Sequence, residues 1–334
     1  MQTTGHTDPT RAAAAAPPTG PTEPAPTPTT AAAAAATPNP TPTPTPTTVA
    51  LSSAPALLPS YLRGALLSPF KRPRPDAVPS RTRLVVPGVR IDLARLAAYE
   101  RICGFATGAD ALPVTYPHVL AFPLAMRLLS GRRFPLPLLG LVHTSLEIVQ
   151  RRRLDTETAY ELAVHVEGLT PHRRGTEATV VTEARADGRP VWESRSTYLA
   201  RHRTPAGAGT PARPAPPPLL PATAEWRLGA DVGRRYAAVS GDRNPIHLHP
   251  LTARLFGFPR PLAHGMWTAA RCLAEQPVGE PLRVRAEFRA PVLLPDTVVH
   301  ATDGSGRFQL RTGERLHVTG TVEPSTHPAP RTNG

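Results

Sequence analysis

The sequence predicts an α+β protein made of two copies of one unit, each an antiparallel sheet wrapped around a central helix. In each half of the chain, a helical segment and an apolar helix precede several segments in which apolar and polar residues alternate. Strands of period two that follow one buried helix are typical of an antiparallel sheet packed on that helix. Residues of the first half also recur in the second at a constant spacing, which indicates a duplication. The matched residues are Tyr99, Ile102, Cys103 and Gly104 in the first half, and Tyr236, Val239, Ser240 and Gly241 in the second.

The chain before the two units has two segments of different composition. Residues 1–50 are mostly Ala, Thr and Pro. They cannot bury enough apolar surface to offset chain entropy, so we expect a disordered tail. Residues 51–81 place apolar side chains at helical spacing from Leu57 to Leu66 and end in a basic linker. We expect an amphipathic helix docked on the body here, and an anchor at a membrane surface is the alternative interpretation.

The two units are separated by a segment rich in Pro, Ala and Gly. We assign 82–203 to the first unit, 204–222 to the linker, 223–324 to the second unit and 325–334 to a flexible tail. Helices are predicted at 92–103 and 118–129 in the first unit, and at 231–240 and 264–274 in the second. The predicted strands are 139–150, 159–169, 177–186 and 191–201, followed by 282–294, 297–306, 307–313 and 315–324.

The composition excludes several classes of function. The formal charge is +13, but the arginines are spread along the chain among acidic residues and aromatic residues make up only 5%, so we expect no nucleic-acid partner. No apolar run approaches the roughly 20 residues of a membrane span, and the N-terminus lacks a signal-peptide pattern, so we expect no integral membrane segment. The two cysteines, Cys103 and Cys272, lack metal-site spacing, which favours a reducing cytoplasm and no metal.

The most informative motif lies in the second unit. Asp242 and His247 are an acid and a base on a short loop stiffened by Pro245, and His264-Gly265 follows at a predicted helix start. An acid/base pair beside backbone donors at a helix N-terminus fits addition or removal of water next to a carbonyl. Taken alone, Asp242 also fits a helix cap and His247 an ordinary core histidine, so the prediction depends on the ordered set.

The first unit lacks this machinery. Phe105 stands where the second unit has Asp242, and no counterpart of the loop follows. We therefore expect one active site, and we interpret His118, which matches His264, as structural. Ser240 and Cys103 are possible nucleophiles, but no Gly-x-Ser-x-Gly elbow surrounds Ser240, which disfavours covalent catalysis.

These motifs resemble the MaoC-like family of (R)-specific enoyl-thioester hydratases and 3-hydroxyacyl-thioester dehydratases, in its two-repeat actinobacterial form. The resemblance is carried by Asp242-Arg243-Asn244-Pro245-Ile246-His247 and by Ala263-His264-Gly265-Met266. It implies a double hot-dog fold in one chain, with Asp242 and His247 holding the water that adds to the thioester. It also implies a Gly265 N–H that binds the thioester carbonyl. Asn244 is expected to hold one of the two catalytic side chains through its amide, and His264, Met266 and Pro245 to contact substrate.

The implied reaction is reversible hydration of trans-2-enoyl thioesters to (R)-3-hydroxyacyl thioesters in fatty-acid or related acyl metabolism, with no cofactor. The implied partner is coenzyme A or acyl carrier protein, and the expected assembly is a pseudo-dimeric monomer or a homodimer. A hot-dog acyl thioesterase and a non-catalytic acyl-carrier-binding subunit are the alternatives. Arg132-Arg133 and Arg151–Arg153 are candidate carrier contacts, although an exposed charged turn explains them as well. Leu120, Phe122, Leu124, Leu128, Leu138 and Leu139 are candidate walls of an acyl tunnel, although an ordinary core explains them equally well.

Overall fold

Strand pairing shows how the two repeats join. We analysed a computed structural model, which describes residues 47–72, 78–204, 217–276 and 279–325. The first repeat contains β2 (Thr82–Val89), α2 (Leu93–Cys103), α3 (Tyr116–Leu129), β3 (Leu141–Gln150), β4 (Tyr160–His172), β5 (Gly175–Ala186) and β6 (Arg189–Arg201). It is preceded by β1 (Thr47–Ala50), α1 (Leu57–Leu67) and a 3-10 turn at Ser68–Phe70.

The second repeat has the same order of elements with one insertion. It contains β7 (Ala222–Leu228), α4 (Val232–Ser240), α6 (Gly265–Leu273), β8 (Leu282–Phe288), β9 (Asp296–Thr302), β10 (Arg307–Thr312) and β11 (Arg315–Pro324). Between α4 and α6 lie a 3-10 turn at Pro245–His247 and α5 (Pro250–Leu255). These two elements have no counterpart among the described residues of the first repeat.

The described strands form one sheet in the order β1-β2-β4-β5-β6-β3-β8-β11-β10-β9-β7. Apart from β1, each side of the β3–β8 pair repeats the other in mirror order. This central pair is antiparallel, with Ser145 opposite Glu287 and Gln150 opposite Leu282. The arrangement confirms the predicted double hot-dog, in which β3 and β8 form the seam between the repeats.

The helices end where the sequence duplication predicted. Asp92 accepts a hydrogen bond from the Arg95 N–H at 3.1 Å and so caps α2. Gly104 follows α2 at φ 81°, and Gly241 follows α4 at φ 82°. Glycine is the residue that adopts this left-handed conformation without a steric penalty. Its presence at both sites turns the chain sharply, and in the second repeat it starts the Asp242 loop.

The core lies between the curved sheet and the central helices α3 and α6. Tyr116 and Leu124 of α3, and Ala269 and Cys272 of α6, have no measurable exposure. The repeats also contact each other through their helices, because the Trp267 indole N–H donates to the Ile102 carbonyl at 2.8 Å. This hydrogen bond holds α6 against α2 of the first repeat, so the start of α6 faces both repeats.

Some elements differ from the prediction. Thr47–Ala50, assigned to the disordered tail, form β1 in parallel with β2. Strands β2 and β7 and helix α5 were not predicted. The alternation in β2 is interrupted by Pro87-Gly88, and β7 begins at the last residue assigned to the linker. Residues 1–46, most of the linker (205–216) and 326–334 lie outside the described residues, so the predictions of disorder there remain predictions.

Helix α1 packs on the body of the protein, as the docked-helix interpretation expects. A Cβ on Gly64 would collide with the Leu138 side chain, so the absence of a side chain allows the close approach. Lys71 after α1 donates to the Leu129 and Gly131 carbonyls at 3.3 and 2.9 Å. Among the described residues, no helix is long and apolar enough to cross a membrane.

Candidate active site

One cavity of about 630 Å³ brings together every site residue predicted from the sequence. It lies where the start of α6 faces the first repeat, and both repeats and α1 contribute to its walls. The predicted residues that line it are Asp242, Asn244, Pro245, His247, His264, Gly265 and Met266.

The loop that carries Asp242 is held by local hydrogen bonds. The Asp242 N–H donates to Ser240 Oγ at 3.1 Å, and Asp242 Oδ1 accepts from the Asn244 N–H at 3.1 Å. The Asn244 side chain accepts from the Ile246 N–H at 3.4 Å and so caps the 3-10 turn. The expectation that the Asn244 amide holds a catalytic side chain was therefore wrong, because the contact to Asp242 comes from the Asn244 backbone.

His247 is buried, and only one of its two ring nitrogens is held by a hydrogen bond within the described residues. Its Nδ1 lies 2.8 Å from the Leu262 carbonyl oxygen, which only accepts, so Nδ1 carries the proton and donates. In a neutral imidazole, Nε2 is then an unprotonated base. Burial and the neighbouring His264 lower the pKa of His247 to about 3. A Cβ on Gly233 of α4 would collide with the His247 carbonyl oxygen, so glycine there allows the turn to pack this deeply.

His264 holds the loop in place. It precedes α6, its ring stacks on the His247 ring with centroids 3.7 Å apart, and it is 2% exposed. Its Nε2–H donates to the Asp242 carbonyl oxygen at 2.9 Å. Burial lowers the pKa of His264 to about 4, so this ring is also neutral. His264 borders the cavity, and these contacts position the Asp242 loop and the His247 ring.

The acid and the base converge. One nitrogen or oxygen atom from each of Asp242, His247 and His264 lies within 4.8 Å of the others. Groups less than about 5.5 Å apart can both hydrogen-bond a single water molecule. Burial raises the pKa of the Asp242 carboxyl above its ordinary 3.8, while His247 and the Asn244 N–H oppose that rise.

Gly265 begins α6, so its N–H has no partner inside the helix. This N–H lies at the positive end of the helix dipole. A Cβ at this position would lie 3.3 Å from the Phe288 ring, which is tighter than ordinary contact. Glycine therefore allows Phe288 and a bound carbonyl to approach the same helix end. Met266, the next residue, and Pro245 on the loop also line the cavity.

The same three side chains are of kinds that bind metal ions, and each of the two histidines uses one nitrogen in a hydrogen bond. His264 Nε2, which lies 3.9 Å from Asp242 Oδ2, donates its proton to the Asp242 carbonyl. His247 Nδ1 is likewise occupied by Leu262. In the described part of the chain His264 Nδ1 is buried without a hydrogen-bond partner, so His247 Nε2, His264 Nδ1 and the Asp242 carboxylate all keep lone pairs. The arrangement suits acid–base chemistry.

Two residues from far along the chain fix the Asp242 loop, and sequence reasoning missed both. The Tyr61 hydroxyl of α1 donates to the Gly241 carbonyl at 2.8 Å and accepts from the Arg243 N–H at 2.7 Å, bridging the residues on either side of Asp242. Arg95 of α2 donates to the Val239 carbonyl at 2.9 Å. These contacts span more than a hundred residues and leave no local sequence pattern.

The first repeat supplies one wall of the cavity. Of the six candidate tunnel residues, Phe122, Leu138 and Leu139 line it, whereas Leu120, Leu124 and Leu128 do not. His118, interpreted as structural, also lines it, as do His143 and Tyr198, which the sequence did not single out. The match of His118 to His264 was the sequence signal for this histidine, and no pattern marked His143 or Tyr198.

The arginines that the sequence offered as candidate carrier contacts do not line this cavity. Arg152 pairs with Asp187 at 3.3 Å and Arg153 with Asp155 at 3.2 Å, and neither lines the cavity. Arg132 and Arg133 are also exposed outside it. The arginines that line the cavity include three from the first repeat, which have no ion pair among the described residues. They are Arg173, Arg174 and Arg201.

Neither candidate nucleophile is available. Ser240 Oγ donates to the Tyr236 carbonyl at 2.9 Å and accepts from the Asp242 N–H, so it closes the end of α4. Burial raises the pKa of the Cys103 thiol to about 12, which keeps it protonated. The site therefore offers an acid/base pair and backbone donors but no nucleophile among these residues.

Comparison with known proteins agrees with this geometry. A family described as the MaoC like domain matches residues 220–326. The 3-hydroxyacyl-thioester dehydratase X of Mycobacterium tuberculosis is 38% identical over 276 residues, which cover 80% of this chain and 98% of that protein. A crystal structure of HtdX from Mycobacterium tuberculosis superposes with a TM-score of 0.63 at 38% identity, covering 72% of this chain and 99% of that one. A MaoC-like dehydratase from Phytophthora capsici shares the fold, with a TM-score of 0.58 at 20% identity over 75% of this chain and 97% of the other.

Proposed function

Because this chain belongs to the MaoC-like family of 3-hydroxyacyl-thioester dehydratases, we propose that it is a hydro-lyase. It removes water from (R)-3-hydroxyacyl thioesters and, in reverse, hydrates trans-2-enoyl thioesters in fatty-acid or related acyl metabolism. The observation that carries this proposal is the convergence of Asp242 and His247, within 4.8 Å, at the N-terminus of α6.

In the hydration direction, a water molecule donates one O–H to the Asp242 carboxylate and the other to His247 Nε2. Its oxygen then faces C3 of the enoyl group. As the C3–O bond forms, one water proton passes to the pair and a proton is delivered from the pair to C2. Both residues thus end in the state in which they began. Dehydration follows the same steps in reverse.

The negative charge that develops on the thioester oxygen needs stabilisation. In this proposal, the Gly265 N–H at the start of α6 donates to that oxygen. Removing one such donor typically costs on the order of 10²–10³ in rate. Because His264 is neutral, it adds no positive charge beside the Asp242 carboxylate. In this proposal its function is to hold the Asp242 loop through the hydrogen bond to the Asp242 carbonyl.

The carrier is a phosphate-bearing thiol in this proposal, either coenzyme A or acyl carrier protein. Arg173, Arg174 and Arg201 are exposed and line the same cavity as the catalytic pair. Guanidinium groups bind phosphate well because their donors match its oxygens. Their position on the wall of this cavity supports a carrier that lies across them.

One chain supplies both walls of the cavity, which supports a pseudo-dimeric monomer as the working unit. Sedimentation would detect a homodimer instead. Cys103 and Cys272 are both free thiols, which supports our proposal that the protein works in a reducing cytoplasm.

The test is an assay of enoyl-thioester absorbance with purified protein. We expect loss of the enoyl band without release of free thiol, and loss of at least 10² in rate for Asp242→Asn and for His247→Asn. Asp187→Asn and His249→Asn are matched controls, since both residues are exposed outside the cavity and asparagine is tolerated at a left-handed turn and as a helix cap. Thiol release would indicate hydrolysis instead, and full activity in both site variants would exclude this mechanism.

A further inference from the structure

The two repeats treat one matched histidine differently. His118 lies in the first turn of α3, as His264 precedes the first turn of α6. His264 Nε2 is bonded to the carbonyl of the Asp242 loop. The first repeat has no such loop, and neither nitrogen of His118 has a hydrogen-bond partner among the described residues. His118 is more than nine-tenths buried, and its Nδ1 is fully enclosed, so Nε2 is the nitrogen left to face the cavity.

A second histidine stands beside it. His143 of β3 lies parallel to His118, with ring centroids 6.3 Å apart and planes 12° apart. It packs between the rings of Tyr198 and Phe288, each with its centroid 4.6 Å away. His143 Nε2 is also buried without a partner in the described part of the chain. Two imidazoles, each with an enclosed nitrogen that has no partner among the described residues, therefore border this cavity.

Both rings are neutral. Burial lowers the pKa of His118 to about 4, and burial together with His118 lowers that of His143 to about 3. A neutral imidazole offers one donor and one acceptor rather than a charge. The group that suits this pair is therefore an uncharged oxygen, a hydroxyl or a ketone, and not a carboxylate.

The position of the pair places it beside the acyl chain. Phe288 contacts Gly265 on one side and His143 on the other, so the pair lies one aromatic ring from the expected thioester carbonyl. Beyond His118, the cavity follows one face of α3, where Phe122, Met126 and Leu129 supply an apolar wall. A chain that runs from Gly265 along α3 passes His118 first.

We propose that His118, with His143 beside it, forms a polar subsite for a hydroxyl or keto group on the acyl chain of the thioester, close to the reacting carbons. This proposal rests on the proposed dehydratase function. A purely hydrocarbon chain would cover His118 Nε2 and leave it unpaired, whereas an oxygenated chain would pair with it. The protein then prefers oxygenated acyl thioesters to plain ones of the same length.

The test compares substrates that differ by one oxygen. The value of kcat/KM is measured for trans-2-enoyl-CoA thioesters of one chain length, plain or with one keto or hydroxyl group at successive carbons from C5 to C8. We expect one position to be preferred over the plain chain by on the order of tenfold. In His118→Leu this preference disappears while hydration of the plain chain is kept. His143→Phe, which retains the ring stacking, reduces it and serves as a second variant should His118→Leu fail to fold.

Three results would overturn the subsite. The first is a wild type that shows no preference at any position. The second is a preference that survives in His118→Leu and His143→Phe. The third is a His118→Leu variant whose KM rises equally for plain and oxygenated chains, which would assign His118 to the carrier arm. In each case continued hydration of the plain chain would leave the dehydratase function standing, whereas absence of all hydration by the wild type would contradict that function itself.

Discussion

Tyr61→Phe tests whether a helix outside both repeats sets the geometry of the catalytic loop. The substitution keeps the ring but removes the hydroxyl that donates to the Gly241 carbonyl and accepts from the Arg243 N–H. Each hydrogen bond contributes about 0.5–1.5 kcal/mol, so the loop loses about 1–3 kcal/mol of support. Since 1.4 kcal/mol is a factor of ten in a population, we expect kcat to fall about tenfold.

The assay is the initial rate of enoyl-thioester hydration over a range of pH, together with thermal unfolding. Tyr160→Phe is the matched control, because the Tyr160 hydroxyl donates to the Asp155 carbonyl at 2.8 Å in the first repeat and does not line the cavity. We expect both variants to lose stability, but only Tyr61→Phe to lose kcat and to shift the acid limb of the pH profile that Asp242 sets. Equal kcat in the two variants would refute a positioning function for Tyr61.

Three further predictions follow from the site. The value of kcat/KM should fall as pH drops through the pKa of Asp242, which burial raises above its ordinary 3.8; a profile without a fall on the acid side would contradict a catalytic Asp242 carboxylate. Gly265→Ala should lower kcat by at least about tenfold, because its Cβ would press on Phe288. Gly168→Ala is the control, because a Cβ at Gly168 would meet no atom within 4 Å, and it should leave kcat unchanged. Equal kcat values for the two variants would contradict binding of the thioester carbonyl at Gly265. Arg173→Gln with Arg174→Gln should raise KM for coenzyme A thioesters but not for N-acetylcysteamine thioesters, which lack phosphates. The corresponding changes Arg132→Gln and Arg133→Gln should raise KM for neither substrate. An equal rise in KM for both substrates in the Arg173/Arg174 variant would exclude phosphate binding by these arginines.

The order of the elements was predictable because the periodicity of each strand and helix is local. The duplication then indicated two equivalent halves, including the matched Gly104 and Gly241. Strand β2 escaped detection since Pro87-Gly88 breaks its alternation, and β1 since its four residues resemble the tail before them.

The catalytic motif was predictable because its residues are close in sequence. Their partners were not. Tyr61, Arg95 and Phe288 reach the site from separate elements, and no local pattern marks a contact that forms only when distant elements pack together. The orientation of Asn244 was also beyond sequence reasoning, because a side-chain amide and a backbone N–H on one residue compete for the same carboxylate.

The central claim is that Asp242 and His247 act on one water molecule. The most direct measurement is the hydration rate of the Asp242→Asn/His247→Asn double variant beside the two single variants. Residues that act as a unit give non-additive losses. We therefore predict that the double variant is about as slow as the slower single variant. A double variant whose loss equals the product of the two single losses would show that the residues act independently and would contradict the claim.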